Sequence, residues 1–150
     1  MGFFDGYNIS TSGMNAQRER INIVSANLAN AQTTSTIGGG PYKKQNIVFE
    51  ELLMHEKERS NAIKNHNNIE QTTLRGVGVK TITESLDNPV MRYEPSHPDA
   101  NEKGYVAYPN INPVVEMTDL IEALRTYESN IAAFQTHKNM DNKTLEILKQ

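Results

Sequence analysis

Residues 116–148 read EMTDLIEALRTYESNIAAFQTHKNMDNKTLEIL, and along them Met117, Leu120, Leu124, Tyr127, Ile131 and Phe134 recur at alternating three- and four-residue steps. That spacing places these side chains on one narrow stripe, close to the 3.5-residue repeat of a coiled-coil seam. A stripe so narrow needs a partner helix. Continued in register, the seam meets Lys138 and Asp141 before apolar residues return at Leu145 and Leu148, while Met140 and Ile147 open a neighbouring track. A long amphipathic helix packed on its own domain has the same periodicity, so the pattern predicts the helix and leaves its partner open.

A matching stripe lies near the N-terminus. Residues 11–31 contain no proline, and Met14, Ile21 and Leu28 stand seven apart, with Gln17, Val24 and Ala31 in the other seam position. The polar residues here include many Asn, Ser and Gln in place of the Glu/Lys pairs that stabilise a lone helix, so the segment orders only against something else. The C-terminal stripe is the evident partner. In an isolated chain both ends are expected to be largely unfolded, leaving the module from Tyr42 to Tyr108 the more ordered part. Residues 1–7, with Phe3, Phe4 and Tyr7 beside Gly2 and Gly6, are too short to form a core and read as a frayed terminus.

Composition narrows the function classes. The chain has 150 residues, enough for one ordinary domain, but only 37% are apolar and the mean hydropathy is −0.61, so the core is thin. Lys+Arg 15 against Asp+Glu 18 gives a net charge of −3. With no face loaded with basic residues, nucleic acid is not an expected partner. Cys 0 removes disulfides, thiolate zinc sites and thiol nucleophiles. Apolar runs fall short of the roughly twenty residues that span a bilayer, and the start lacks the basic and apolar regions of a secretory signal. Direct membrane insertion is therefore not expected, and export would need a route that reads no such signal.

The middle of the chain predicts strands and turns. Gly38-Gly39-Gly40-Pro41 breaks any helix, and without a following Gly-Lys-Ser/Thr it does not read as a phosphate loop. Residues 42–49, ending Ile47-Val48-Phe49, and residues 77–83 read as strands. Between them residues 54–75 are polar, a predicted excursion or long hairpin tip. Prolines at 89, 95, 98, 109 and 113 exclude a helix there and predict extended strands. Asn112 or Thr118 can cap the C-terminal helix, and Pro113 suits its first turn.

Two sets of motifs carry a resemblance. Ser25-Ala26-Asn27-Leu28-Ala29-Asn30-Ala31-Gln32-Thr33-Thr34 resembles the N-terminal signature of flagellar axial proteins, in which Asn-Leu-Ala-Asn closes the first helix. Asn27 and Asn30 can bond backbone there as the helix unwinds. Pro98-Asp99-Ala100, Gly104-Tyr105-Val106 and Pro109-Asn110-Ile111-Asn112, with Gly40-Pro41-Tyr42 and Tyr127-Glu128-Ser129-Asn130, resemble the proximal-rod branch of the same rod and hook family. The excursion at 54–75 is longer and more polar than that family needs.

The resemblance implies a mainly α fold with a small β module: residues 1–36 and 111–150 form one terminal domain whose helices pair as an antiparallel coiled coil, and residues 37–110 form the β module. It implies a structural rod subunit in the periplasm that polymerises with copies of itself and other rod proteins, contacts basal-body ring and export-gate components, and transmits motor torque. Assembly would lie on Met14, Ile21, Val24, Leu28, Met117, Leu120, Leu124, Tyr127, Ile131, Phe134, Leu145 and Leu148. Delivery would use the flagellar type III export channel, with Phe3, Phe4 and Tyr7 as candidate export signal.

Catalytic chemistry is not visible. His55, His66, His97 and His137 never share the i, i+4 spacing that would set two on one helix face for a metal. Ser10-Thr11-Ser12-Gly13 reads as a helix entry with no nucleophile pattern around it. No catalytic, cofactor or metal residue is assigned. Two further readings stay open: a cytoplasmic adaptor or chaperone whose helical ends clasp a client, and a small metal-dependent enzyme with a site assembled in space.

Overall fold

The computed structural model describes residues 5–54, 74–83 and 89–149. In chain order they form helix α1 (Asp5–Ala29), strands β1 (Gln45–Met54), β2 (Leu74–Thr83), β3 (Val90–Tyr93) and β4 (Tyr105–Tyr108), and helix α2 (Pro113–Leu148). The architecture is mainly helical with a small β module of two separate two-stranded antiparallel sheets, β1 with β2 and β3 with β4.

Local chemistry explains most boundaries. Asn112 caps α2 by accepting from the Val114 N–H at 3.0 Å, and Pro113 follows at the first helical position, where its missing N–H has no intrahelical role. Thr118 instead bonds back to the Val114 carbonyl at 2.9 Å. At the end of α1, Asn30 Nδ2 donates to the Ala26 carbonyl at 2.9 Å, and Thr33 Oγ1 donates to Asn30 Oδ1 at 3.1 Å. The Ala26 carbonyl also accepts the Asn30 N–H at 3.1 Å, so the Asn30 side chain adds a second bond to the last turn of the helix.

Both chain ends are helical and lie against each other, contrary to the expectation that they stay largely unfolded without a neighbour. α1 begins at Asp5, so Tyr7 sits in a helix and not in a frayed terminus. Phe3 and Phe4 lie outside the described residues, as do His55, His66 and positions 55–73 of the excursion. The ends of the excursion are strand: Met54 pairs with Leu74 and Leu53 with Arg75.

The core is thin. Among the described residues its buried apolar side chains are Ala16, Ile23, Val24, Val106, Tyr108 and Ala123. The β1–β2 ribbon meets α1, where the Val77 N–H donates to Ser12 Oγ at 3.2 Å. The β3–β4 hairpin is linked to the exit of α1 by a Thr34 Oγ1 to Asp99 Oδ2 bond of 2.7 Å.

Candidate functional site

The site grows from the contact between the two helices. A Cβ on Gly6 would meet the His137 imidazole at 2.8 Å, and one on Gly13 would meet the Asn130 amide at 3.1 Å. Farther along, Arg20 lies 3.6 Å from Asp119 and 3.7 Å from Glu122. At the far end Asn27 Nδ2 donates to Glu116 Oε2 at 3.2 Å. As α1 is followed forward α2 runs backward, and small or polar residues face each other once per heptad. Apolar contact fills the intervals: the Tyr7 ring stands edge-on to Phe134 with centroids 4.9 Å apart, and the Tyr7 hydroxyl donates to Asp141.

The Asn27 end is a buried polar junction. Glu116 and Asn27 are each 1% exposed. Asn27 Nδ2 also donates to the Gln45 carbonyl at 2.8 Å, while its Oδ1 accepts from the Gln45 N–H at 3.0 Å and from the Tyr42 hydroxyl at 3.2 Å. The Lys44 ammonium lies 3.0 Å from Glu116 Oε1, although that oxygen has no partner in hydrogen-bonding geometry. The short distance makes this an ion pair regardless, since Coulomb attraction depends weakly on angle. Burial, and next the Glu116 carboxylate, raise the Tyr42 hydroxyl pKa above 10.0. The junction therefore joins the end of α1, the start of β1 and the start of α2 in one network.

The predicted seam residues divide between two faces of α2. Leu120, Tyr127, Ile131 and Phe134 are half-buried, with Ala123 fully buried among them. Met117 and Leu124 are exposed, as are Leu145 and Leu148 near the end of the helix. On α1, Val24 is buried and Met14, Ile21 and Leu28 are half-buried. The face that α2 turns to α1 is thus rotated by about one residue from the predicted stripe, because Glu116, Ala123 and Asn130 occupy the closest approach. Outside it, Val114, Met117, Ile121 and Leu124 form a second apolar row, 70%, 52%, 53% and 43% exposed. Ile121 escaped the periodicity because it lies off the predicted stripe. Glu116, Lys44 and Arg20 escaped it because charged residues read as surface until their partners are known.

The remaining motif residues shape the β3–β4 turn and the approach to α2. Gly104 adopts φ +78 and packs under the Tyr93 ring, where a Cβ would come within 2.9 Å. Asn101 Oδ1 accepts from the Lys103 and Tyr105 N–H groups at 2.9 and 3.0 Å, and the Tyr105 and Tyr93 rings meet edge-on at 5.3 Å. Pro109 is buried, Asn110 exposed, and Leu28 and Ala29 close α1 beside the junction. Among the described residues no group of three or more His, Asp or Glu could hold a metal, and no helix is long and apolar enough to cross a membrane.

Comparison with known proteins meets these same segments. Residues 8–35, which hold most of α1 and its exit, match the family model described as flagella basal body rod protein. Residues 102–147, from the β3–β4 turn through α2, match flagellar basal body rod FlgEFG protein C-terminal. Over 153 aligned residues the chain is 37% identical to the flagellar basal-body rod protein FlgC of Borreliella burgdorferi, covering 99% of both chains. The FlgC of Bacillus subtilis is likewise 37% identical, over 99% of this chain and 100% of its own. The FlgC of Aquifex aeolicus is 38% identical over 99% of both. By full-length similarity and by both helical segments, this chain belongs to the FlgC family of flagellar basal-body rod proteins.

Proposed function

We propose that this chain polymerises through its terminal helices while the β module fixes how the next subunit sits. The chain is a structural subunit of the bacterial flagellar basal-body rod, and rod proteins assemble with other rod components. The finer reading is that residues 1–36 and 111–150 form one domain, an antiparallel coiled coil, and that residues 37–110 form the module carried on it. Copies of the same chain and other rod proteins are its lateral neighbours, with ring and export-gate components at its base. The rod crosses the periplasm and carries motor torque to the hook and filament. Export proceeds through the flagellar type III channel, with Phe3, Phe4 and Tyr7 in the segment that is read.

The observation that carries this reading is the open row Val114, Met117, Ile121 and Leu124, an apolar helix face left uncovered beside the face occupied by α1. Apolar surface of that kind gains about 25 cal/mol per Å² when covered, and in a polymer each subunit gains it. The test is to express an epitope-tagged chain in a strain lacking its own copy and to isolate basal bodies. Tag in the rod, with rods missing from the untransformed strain, is expected. Normal rods without the chain, or tag confined to the cytoplasm with a client protein, would replace this reading with an adaptor.

A further inference from the structure

The helix contact carries small and polar residues at positions that repeat. Gly6 faces His137, Gly13 faces Asn130, Arg20 faces Asp119 and Glu122, and Asn27 faces Glu116. On α1 each step is one heptad, and on α2, run backwards, His137, Asn130 and Glu116 keep the same spacing, with Asp119 and Glu122 flanking Ala123 at the position between Asn130 and Glu116. The apolar residues repeat with the same step, Met14, Ile21 and Leu28 on α1 and Leu120, Tyr127 and Phe134 on α2, all half-buried. A slip by one heptad, about 10 Å along the axis, would therefore bring apolar rows opposite each other again. Apolar packing alone discriminates weakly between these registers.

The polar positions do discriminate. A slip one way sets Asn27 opposite Ala123 and Gly13 opposite His137, and separates Glu116 from the helix that now buries it. A slip the other way gives Arg20 a new partner in Glu116, but carries Asn27 past the start of α2 and sets Gly13 opposite Ala123. Either slip pulls Asn27 away from Glu116, to which it donates at 3.2 Å, and desolvated groups left unpaired are costly. Isolated polar groups at seam positions are the best-attested way to fix helix register.

We propose that the polar positions of the α1–α2 contact, above all Asn27 with Glu116, set the register of the helix pair and through it the place of the β1–β2 ribbon along α2. The link to the ribbon is direct, because Asn27 holds both the N–H and the carbonyl of Gln45, the first residue of β1. A slipped pair would displace that ribbon relative to the open row on α2, so neighbouring subunits would meet the wrong surface. The inference rests on the helices packing together, as the proposed function has it.

Because the chain has Cys 0, paired cysteines report register without interference. In the purified full-length chain, Gly13→Cys with Asn130→Cys reports the native register, and Gly13→Cys with Ala123→Cys or His137→Cys reports the two slipped ones. Disulfide formation requires the close approach that only one register provides. In the parent background the native pair should form at least about tenfold faster than either slipped pair. In the background Asn27→Leu/Lys44→Met/Glu116→Leu, a slipped pair should form within about threefold of the native one, with helical circular dichroism retained. If that background loses helicity, Arg20→Gln/Glu116→Gln takes its place and should speed a slipped pair at least about threefold over its rate in the parent background. A slipped pair that forms no faster in the helical variant than in the parent background would overturn the inference and leave the rod assignment standing.

Discussion

Asn27 and Glu116 lie 89 residues apart in the chain and meet in the interior, Nδ2 to Oε2 at 3.2 Å. The same asparagine accepts from the Tyr42 hydroxyl and bonds both main-chain groups of Gln45. It therefore has a donor to give and an acceptor to offer on opposite sides of one side chain, which only an amide supplies at that size.

That geometry ranks two substitutions. Asn27→Ala leaves the Gln45 N–H and carbonyl and one Glu116 oxygen short of partners, each costing about 1–3 kcal/mol. Asn27→Asp keeps the shape but turns the donor into a carboxylate facing both Glu116 and the Gln45 carbonyl, and should be worse than alanine. Urea unfolding of the three chains checks the order. An aspartate variant as stable as the parent would mean that the amide donor of Asn27 is not what holds Glu116 and the Gln45 carbonyl.

The junction also makes a prediction at high pH. Burial and the Glu116 carboxylate raise the Tyr42 pKa above 10.0 in the folded chain, so the folded state holds a proton that the unfolded chain releases first. The associated stability is fully present below about pH 10 and is lost as pH rises through the folded value. Tyr108 adds in the same sense, its hydroxyl held by Glu94. Urea midpoints should fall as pH rises above about 10, and Tyr42→Phe should flatten the fall. A variant slope equal to that of the parent would place the alkaline loss elsewhere.

What was legible follows from how local each signal is. The Asn112 cap and Pro113 are chemistry within one turn, and the strand through Ile47-Val48-Phe49 depends on side-chain branching along one segment, although β1 runs on to Met54. The rotation of α2 was not legible, since Met117 and Leu124 are as apolar as Leu120 and Tyr127, and the heptad pattern does not say which of two neighbouring apolar rows meets α1. Burial of Glu116 was illegible for another reason: a carboxylate enters an interior only with its cation, and Lys44 lies across the β module in sequence. The Asn27 motif was visible, but its partners were not.

Gly104 tests the turn that carries the second motif. Its φ of +78 is left-handed, and a Cβ there would sit 2.9 Å from Tyr93 Cε2 and 3.3 Å from Pro95 Cβ. Gly104→Ala should lower stability by about 1–2 kcal/mol from the backbone alone. The loss should centre on the β3–β4 hairpin, read by faster amide exchange at the Glu94 N–H, which donates to the Gly104 carbonyl at 2.9 Å. An unchanged exchange rate would show that the hairpin accommodates a side chain at this point.

Neighbouring residues of α2 separate folding from assembly. Ala123 is 0% exposed in the helix contact, and Leu124, next to it, is 43% exposed on the open row. Ala123→Leu overpacks a closed site and should cost the single chain about 1–3 kcal/mol. Leu124→Ala, with Met117→Ala and Ile121→Ala added, removes exposed side chains and should change the urea midpoint of the single chain by no more than about 0.5 kcal/mol per site. In cells the order reverses in kind: the triple variant should be synthesised and secreted, yet leave no rod, no hook and no motility, because every subunit of the polymer loses the same contact. Basal bodies of normal length and full motility from that variant would show that the exposed row of α2 is not an assembly surface.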